Sequence, residues 1–421
     1  MSYAFVLRTY ADIDHLVPLV WKLLEEGEEV HALVAPGYDP AGDHRLRFVS
    51  RYERFHLHEL WPAGMSKPRG AFRCTVPWAV GFLARHDVKV VAVEWGYGLP
   101  AGYDKPLSPA GVRAVAASVV RSVRQALKRD GWQPRVSFTV AARLLGRRTA
   151  CLPHGLSVKL DVISNPRTQE AISRGGLDWR DRNRFDAYVL NTEHHRRFHL
   201  DHAKGDPDRM QTWGALRWSP EWFEINRSLA PQWDWPASDA DRLKIVLMAP
   251  KWHNMVHVDR AVEMVKRLQE LPFASVAVKG HPRLKPEDDP LRKDPSVDWG
   301  VLHEVNQVDS VSLIRAADVV IDVGSSIGLE VLMQDKVLVN PAYIHQLRTL
   351  FDEIEGSCVR PDSDDELVAY LAEHAAGRPF EVPEPARREL LRRAVYGERE
   401  EPFDVIDTYL QRFRALSASA A

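Results

Sequence analysis

The segment ADVVIDVGSSIGLEVL, residues 317–332, decides the fold of this chain. Its apolar run up to Asp322 is short and bounded by turn residues, which is typical of a strand buried on both faces. The turn at Gly324, Ser325 and Ser326 then begins a helix, because serine is a favoured N-cap residue. Another apolar run, KVLVN at residues 336–340, follows that helix. The segment therefore predicts a β-α-β unit with parallel strands.

The turn between this strand and helix predicts an anion site. A helix N-terminus presents N–H groups and the positive end of the helix dipole, which suits a phosphate at Ser325 and Ser326. Glu330 follows Ser326 by one helical turn and lies on roughly the same face, where its carboxylate would accept hydrogen bonds from a ribose. The alternative is an ordinary β-α-β unit whose serines only cap the helix. This stretch alone leaves both interpretations open.

A basic loop is expected at the same edge of the sheet. The apolar run at residues 274–278 predicts a strand, and Lys279, His281 and Arg283 follow its end. Since the carboxyl ends of parallel strands meet at one edge, these side chains are expected near the two serines. Positive charge there would stabilise the negative charge that develops on a departing nucleotide. Together the two loops favour nucleotide binding.

Strands alternate with helices in both halves of the chain, which predicts an α/β protein with two mainly parallel sheets. Between the halves, residues 228–241 are rich in Pro, Trp and Asp, as in an interdomain linker. We expect an amino-terminal domain over residues 1–225 and a linker over residues 226–241. A nucleotide-binding domain over residues 242–400 and a final helix and tail over residues 401–421 would follow.

The first domain offers one histidine and three carboxylates as candidate general bases. His154 follows the predicted strand at residues 148–152 and precedes a glycine, which allows close approach of the backbone. A histidine at a strand end can take the proton of an acceptor hydroxyl, although a structural imidazole bonded to backbone is the alternative. Glu94, also at a strand end, is the rival base. Asp12 and Asp14 come third.

The overall composition argues against several classes of protein. The chain has 421 residues and a formal net charge of -2, which argues against electrostatic binding of nucleic acid by the protein as a whole. Three dispersed cysteines favour a reducing compartment without disulfides or a zinc framework. No signal-peptide pattern and no apolar run of about 18 residues is found, so a cytoplasmic protein is expected. The histidines at 194, 195 and 199 lack metal-binding spacing and are expected at a solvated helix start.

Four motifs carry a resemblance to known enzymes. They are PHG at residues 153–155, GALRW at 214–218, KGHP at 279–282, and DVGSS at 322–326 with Glu330. With them the chain resembles GT-B type transferases, and more narrowly the group containing CDP-glycerol glycerophosphotransferases and bacterial surface-polysaccharide transferases. It is more distantly similar to UDP-N-acetylglucosamine 2-epimerases. The resemblance is good over about residues 243–340 and thin before Cys151.

The resemblance implies two Rossmann-like domains whose parallel sheets face an interdomain cleft. It implies that His154 is the base and that the last helix braces the first domain. It also implies that the donor's phosphates are bound by Lys279, His281, Ser325 and Ser326. The chain departs from the family at two positions, since Leu156 stands where threonine is usual and Leu216 where proline is frequent.

The predicted function is a transferase that moves a glycosyl or polyol-phosphate group from a nucleotide-activated donor to a hydroxyl. The acceptor would be a surface glycan or a lipid-linked precursor, and neither a metal ion nor a cofactor would be needed. Association with the inner face of the membrane and the oligomeric state are left open. The alternatives are a UDP-sugar 2-epimerase, which needs no acceptor, and a non-catalytic subunit that binds glycan or nucleotide in a polysaccharide assembly complex.

Overall fold

The computed structural model divides the chain into two compact units. The described residues are 1–35, 39–62, 64–94, 107–114, 116–117, 120, 134–153, 155–160, 166–174, 176–252, 255–281, 284–346, 348–399 and 404–420. The first unit comprises Met1–Leu156, Pro166–Glu224 and Arg392–Ala421. The second comprises Ser157–Asn165 and Ile225–Leu391. The sequence analysis had assigned residues 157–165 to the first domain and residues 392–400 to the second.

Seven parallel strands form the sheet of the first unit. In chain order they are β1 (Ser2–Leu7), β2 (Glu29–Val34), β3 (Phe55–Glu59), β4 (Val88–Glu94), β5 (Arg148–Leu152), β6 (Ala187–Leu190) and β7 (Met210–Thr212). Across the sheet their order is β3-β2-β1-β4-β5-β6-β7. Every residue of β1 is buried, because helices cover both faces of a central parallel strand.

The helices of the first unit follow its strands along the chain. They are α1 (Tyr10–Glu25), α2 (His44–Val49), α3 (Lys67–Arg73), α4 (Val76–Arg85), α5 (Pro134–Leu144), α6 (Pro166–Ser173) and α7 (Glu193–His202). The next helix, α8 (Pro220–Leu229), crosses the boundary into the second unit. A capping box formed by Thr9 and Asp12 begins α1, so the turn after β1 is fixed by side-chain bonds to backbone N–H groups.

The second unit is built on a five-stranded parallel sheet. Its strands are β8 (Leu243–Met248), β9 (Ala274–Lys279), β10 (His303–Glu304), β11 (Val319–Asp322) and β12 (Val337–Val339). Their order across the sheet is β10-β9-β8-β11-β12. The predicted strand at the start of residues 317–332 is β11, and it lies between β8 and β12. All four of its residues are buried, as the apolar run predicted.

Seven further helices are described before the last one. They are α9 (Val258–Gln269), α10 (Pro290–Lys293), α11 (Ser310–Ala316), α12 (Ile327–Met333), α13 (Leu350–Glu353), α14 (Asp364–Ala375) and α15 (Glu384–Ala394), which crosses back into the first unit. Gly328 on α12 lies against Phe351, since a Cβ there would stand 2.7 Å from the Phe351 ring. This close approach seats α12 against the chain that follows β12.

The last helix, α16 (Val405–Ala418), belongs to the first unit. Phe413 stacks on Phe5 of β1, with ring centroids 5.9 Å apart and planes 5° apart. The Tyr409 hydroxyl donates to the carbonyl oxygen of Gly214 at 3.1 Å. The carboxyl-terminal helix thus completes the hydrophobic core around β1 in the same unit as the amino terminus.

The predicted fold class is confirmed, because both sheets are parallel and both units alternate strands with helices. In the part of the chain that the structure describes, no helix is long and apolar enough to cross a membrane.

Candidate functional site

The carboxyl edge of the second sheet collects the loops that follow its strands. Because all five strands are parallel, these loops open on one side of the unit. Asp322 ends β11 and Lys279 ends β9, while Lys251 lies just beyond β8. The polar residues singled out from the sequence are therefore brought to one edge, together with others that the sequence did not reveal.

The loop after β11 is held by the side chain of Asp322. Its carboxylate accepts the Ser325 N–H at 2.8 Å and the Ser325 hydroxyl at 2.6 Å. The Ser325 hydroxyl oxygen in turn accepts the Ile327 N–H at 3.1 Å. Gly324 has a φ of +64°, a left-handed conformation that glycine adopts without strain. Ser325 therefore caps α12 with its side chain, whereas Ser326, the residue at the N-cap position, makes no side-chain cap bond.

Asp322 is a buried carboxylate, only 2% exposed. Burial raises its pKa to about 6, although the hydrogen bonds from Ser325 and the nearby ammonium of Lys159 act in the opposite direction. Glu330, on the first turn of α12, is also 2% exposed. Glu330 is thus buried, whereas Ser325 is exposed.

The ammonium of Lys279 is bonded to main-chain carbonyl groups. It donates to the carbonyl oxygens of Val308 and, at 3.2 Å, of Asn306. The Gly280 N–H donates to the side-chain oxygen of Asn306 at 2.6 Å. These bonds tie the end of β9 to the loop after β10, and burial lowers the Lys279 pKa. The structure thus gives Lys279 a tethering role, and its predicted role as a donor ligand stays a prediction.

Of the other two residues predicted on the loop after β9, the structure describes His281 but not Arg283. His281 is partly exposed, and its carbonyl oxygen accepts the Leu284 N–H at 2.9 Å, which closes a turn. Arg283 lies outside the described residues. At this edge His281 therefore stays a candidate for a donor phosphate.

Two lysines that the sequence analysis missed lie at the same edge. Residues 157–160 pair with residues 348–350: Lys159 forms an antiparallel bridge with Thr349, and the Leu160 N–H donates to the carbonyl oxygen of Arg348 at 2.9 Å. Burial and the ammonium of Lys251 lower the Lys159 pKa, and the carboxylate of Asp322 acts against them. Nothing in the sequence marks this placement, because residues 157–160 directly follow the PHG motif after β5 of the first unit.

Glu94, the rival base, is part of an ion-pair cluster in the first unit. It ends β4 and is 1% exposed. One of its carboxylate oxygens contacts the guanidinium of Arg8 at 2.6 Å and also that of Arg135. Bonds between a carboxylate and two guanidinium groups are charge-assisted and hold the side chain in place. Its contacts therefore favour a structural or electrostatic role over that of a base.

Asp12 lies next to this ion-pair cluster. Its carboxylate accepts the N–H groups of Arg8 at 2.6 Å and Thr9 at 2.8 Å, and the residue is fully buried. Burial and the charge of Glu94 raise the Asp12 pKa to about 6. The carboxyl edge of the first sheet thus holds two carboxylates and two guanidinium groups. Sequence reasoning singled out both carboxylates without recognising the two arginines.

The remaining candidates of the first unit are structural or outside the described residues. Asp14 is bound by the guanidinium groups of Arg45 and, at 2.7 Å, of Arg217 from the GALRW motif. His154 lies outside the described residues, and the carbonyl oxygen of Gly155 beside it accepts the Asn191 amide at 2.7 Å.

The expectation of a solvated start for the histidine-rich helix α7 is wrong for two of its histidines. His195 and His199 are 8% and 3% exposed. Burial lowers their pKa values to about 4 and about 3. The Arg182 guanidinium donates to Nε2 of His199 at 2.6 Å, and Nδ1–H of His199 donates to the carbonyl oxygen of His195 at 2.8 Å. In the described residues no group of three or more His, Cys, Asp or Glu side chains is arranged to hold a metal ion.

Comparisons with known proteins reveal similarity in structure alone. No family model matches the chain, and no curated protein matches its sequence. A protein of Listeria monocytogenes provisionally called a UDP-N-acetylglucosamine 2-epimerase superposes with a TM-score of 0.57 at 10% identity, covering 99% of this chain and 97% of its own. The Neisseria meningitidis UDP-GlcNAc 2-epimerase bound to UDP-GlcNAc superposes with a TM-score of 0.55 at 10% identity, covering 99% and 100%.

A third solved structure is HepE of Anabaena in complex with UDP. It superposes with a TM-score of 0.52 at 11% identity, covering 99% of this chain and 100% of its own. At such low identity these likenesses show the fold alone, which is two Rossmann-like units of the GT-B type. None of the three is a CDP-glycerol glycerophosphotransferase, so that narrower resemblance stays a prediction.

Proposed function

We propose that this chain is an enzyme of nucleotide-sugar metabolism that binds the diphosphate of a UDP-sugar at the carboxyl edge of its second sheet and transfers the sugar to a hydroxyl. The observation that carries the proposal is the basic edge around the Ser325 loop, where Lys159 and Lys251 lie together and His281 follows the neighbouring strand. Fixed positive charge aimed at a leaving diphosphate lowers the barrier to its departure. Two of the similar folds were solved with UDP or UDP-GlcNAc, which supports uracil as the base of the donor nucleotide.

The acceptor side of the proposal rests on the resemblance. His154 would take the proton of the acceptor hydroxyl as the sugar leaves the nucleotide, because neutral imidazole is a base near physiological pH. A surface glycan or a lipid-linked precursor is the proposed acceptor. CDP-glycerol, as the activated donor of a polyol phosphate, is the rival donor to a UDP-sugar.

A UDP-sugar 2-epimerase is the second candidate, and one observation of the first unit favours it. Inverting a carbon centre requires a proton to leave that carbon and another to return, and thus acid–base groups. Asp12, whose pKa burial and the Glu94 charge raise to about 6, lies beside Glu94, Arg8 and Arg135. A carboxyl group with such a pKa can exchange protons near neutrality.

One experiment separates these candidates. Purified protein is incubated with UDP-GlcNAc, UDP-glucose or CDP-glycerol in D2O, with and without a panel of glycan acceptors, and the products are followed by NMR. A transferase releases UDP or CMP only when an acceptor is present. An epimerase forms a new UDP-sugar without acceptor and incorporates deuterium at the inverted carbon. Binding of a nucleotide in a thermal-shift assay without turnover of any donor would instead identify a non-catalytic subunit.

Parallel incubations with Mg²⁺ and with EDTA test the prediction that no metal ion is needed. Equal rates in both are expected, and a loss of turnover in EDTA that added Mg²⁺ restores would contradict the prediction. Asp365→Asn is the control for differences between protein preparations, because the carboxylate it replaces belongs to a side chain that is 89% exposed.

A further inference from the structure

We propose that a cluster of four histidines in the first unit is an acid-sensitive latch, which holds the edge strand β3 on the sheet while its rings are neutral and releases the strand when they are protonated. This histidine cluster consists of His31, His56, His58 and His86. The inference goes beyond the proposed function and does not depend on it, because none of these residues is assigned to a donor or an acceptor.

The histidine cluster joins β3 to the neighbouring strand β2 and to helix α4. His31 on β2 pairs with His56 on β3. Because alternate side chains of a strand point to the same face, His58 lies on the face that carries these two rings. Phe82 on α4 packs against three of the rings, with centroid distances of 5.7 Å to His31, 4.9 Å to His58 and 4.6 Å to His86. The cluster is therefore the contact between the end of the sheet and α4.

Strand β3 is weakly held apart from this contact. It lies at the end of the described sheet and pairs with β2 on one side. Of its five residues only Phe55 is buried, while Leu57 and Glu59 are exposed. Segments with few buried apolar contacts open at a lower free energy than the core of a domain. A change in the rings of His56 and His58 is thus expected to act on the attachment of the whole strand.

The nitrogen atoms inside the cluster require neutral rings. Nδ1 of His31 and Nε2 of His58 are 3.0 Å apart, so one of them donates a hydrogen bond and the other accepts it. A protonated imidazole has two N–H donors and no acceptor, so this bond is lost when both rings are protonated. His31 is 1% exposed, and its Nε2 makes no hydrogen bond among the described residues. A charge on this ring would be buried with the Glu29 carboxylate 3.5 Å away, which is unfavourable.

The Glu29 carboxylate and the guanidinium groups of Arg73 and Arg85 act on the cluster from its surroundings. The carboxylate is 3.1 Å from Nε2 of His56, whose side chain is 40% exposed, and it favours a proton on that ring. The two guanidinium groups disfavour charged rings. Each imidazole that takes up a proton also disfavours protonation of the next, because like charges repel. One proton beside Glu29 is therefore tolerated, whereas further protons destabilise the closed latch.

The pKa values give the sign of the pH dependence. Burial and the neighbouring imidazoles lower the pKa of His31 to about 3, and burial, two imidazoles and Arg73 lower that of His58 to about 4. Burial also lowers the pKa of His86, although Glu29 acts against it. The ordinary value is 6.5, so released rings bind protons as the pH falls below 6.5 while latched rings stay neutral. The latch is therefore closed at neutral pH and loses stability from pH 6.5 down to about 4.

Hydrogen exchange of the full chain between pH 7 and pH 4.5, followed by peptide mass spectrometry, tests the latch. The exchange rate divided by the intrinsic rate at each pH gives the opening constant of a strand. The opening constant of β3 is expected to rise by about tenfold or more, since release of His58 alone corresponds to roughly 50–100-fold at pH 4.5. Strand β4, in the interior of the same sheet, is the internal reference and should change less. A parallel rise in β3 and β4 would mean global unfolding and would overturn the latch.

Two variants with opposite expected effects separate charge from packing. His58→Phe keeps an aromatic ring but removes a site of protonation, so it should reduce the rise in the opening constant by about fivefold or more. Glu29→Gln removes the carboxylate that favours protonated rings, so β3 should stay closed at pH 7 and open about twofold or more beyond the wild type at pH 5.5. His202→Phe makes the same change as His58→Phe on α7, outside the cluster, and should keep the wild-type pH dependence.

Each outcome decides the inference. If His58→Phe keeps the full rise in opening, protonation of the cluster does not control β3 and the latch is overturned. If His58→Phe already opens β3 at pH 7, the shape of the ring is needed as well, and Glu29→Gln decides. An opening constant of Glu29→Gln equal to that of the wild type at pH 5.5 then overturns the latch, and a larger one supports it.

Discussion

Replacing Asp322 by asparagine is expected to stabilise the protein near neutral pH. The carboxyl group has an ordinary pKa of 3.8, and burial raises it to about 6. Each pKa unit corresponds to about 1.4 kcal/mol, so holding this group ionised at pH 7.5 costs about 3 kcal/mol of stability. Asparagine keeps an oxygen that can accept the Ser325 N–H, which is 2.8 Å from the carboxylate. Loss of the second, charge-assisted bond, which the Ser325 hydroxyl donates, lowers the free energy of unfolding by about 1–2 kcal/mol. A net increase of about 1–2 kcal/mol in the free energy of unfolding is therefore expected.

The pH dependence of this gain has a definite sign. Because the pKa of folded Asp322 lies above that of the unfolded chain, the folded state binds more protons between pH 3.8 and about 6. The contribution of Asp322 to stability therefore falls as the pH rises through this range and is constant above it. The advantage of Asp322→Asn should accordingly be full at pH 7.5 and shrink towards pH 4.5.

Thermal unfolding at pH 7.5, 6 and 4.5 checks this prediction. For a unit of this size about 1 kcal/mol moves the melting temperature by about 2–4 °C, so the variant should melt several degrees above the wild type at pH 7.5. Asp365→Asn, whose side chain is 89% exposed, is the control and should melt as the wild type does. A variant that melts below the wild type at pH 7.5, or a gain that grows towards pH 4.5, would refute the reasoning.

Three further predictions concern the first unit. Burial and neighbouring imidazoles lower the pKa of His31 to about 3, so His31→Leu should reduce the loss of stability between pH 6.5 and 4.5, measured by urea unfolding. Gly214→Ala should lower the free energy of unfolding by more than about 1 kcal/mol, because φ is +89° and the new Cβ would stand 2.7 Å from a carbonyl oxygen. Gly64→Ala is the control in thermal melts: φ is +80° there but no atom lies near the new Cβ, so it measures the cost of the backbone conformation alone. Glu94→Gln should lower the free energy of unfolding by about 3–5 kcal/mol, and the melting temperature with it, because two guanidinium groups lose their partner. Lost turnover with unchanged melting would instead restore Glu94 as the base.

The fold was predictable because it depends on local patterns. The run that became β11 is apolar at every position before Asp322, and a strand buried on both faces needs nothing else to be recognised. The amphipathic spacing of α9 is equally plain, since Ala261, Val262, Val265 and Leu268 are all buried. Such signals lie within a few residues of each other, and the order of strands in a doubly wound sheet then follows from a small set of connections.

The site was less predictable because its contacts join distant parts of the chain. Lys159 reaches the second unit by pairing with Thr349, which lies 190 positions later, and no spacing rule connects the two. The ammonium of Lys279 was predicted from its place at the end of β9, yet its bonds to Asn306 and Val308 depend on how the loop after β10 packs. Sequence position brought the correct strand ends together, but it did not determine which cation is bonded to main-chain carbonyl groups there.

Each of the two sheets has a buried carboxylate at its carboxyl edge, and burying a charged group lowers the stability of the folded state. Asp12, which follows β1, is a buried carboxylate that accepts hydrogen bonds from the N–H groups of Arg8 and Thr9. Asp322, at the end of β11, is a buried carboxylate that accepts hydrogen bonds from the N–H and the hydroxyl of Ser325. Burial raises the pKa of each to about 6. A neutral side chain could hold either turn at lower cost, since desolvating a charge is unfavourable. Acids with raised pKa values at the carboxyl edges of parallel strands, where ligands bind in this architecture, are therefore the two carboxyl groups that we propose to test for proton transfer.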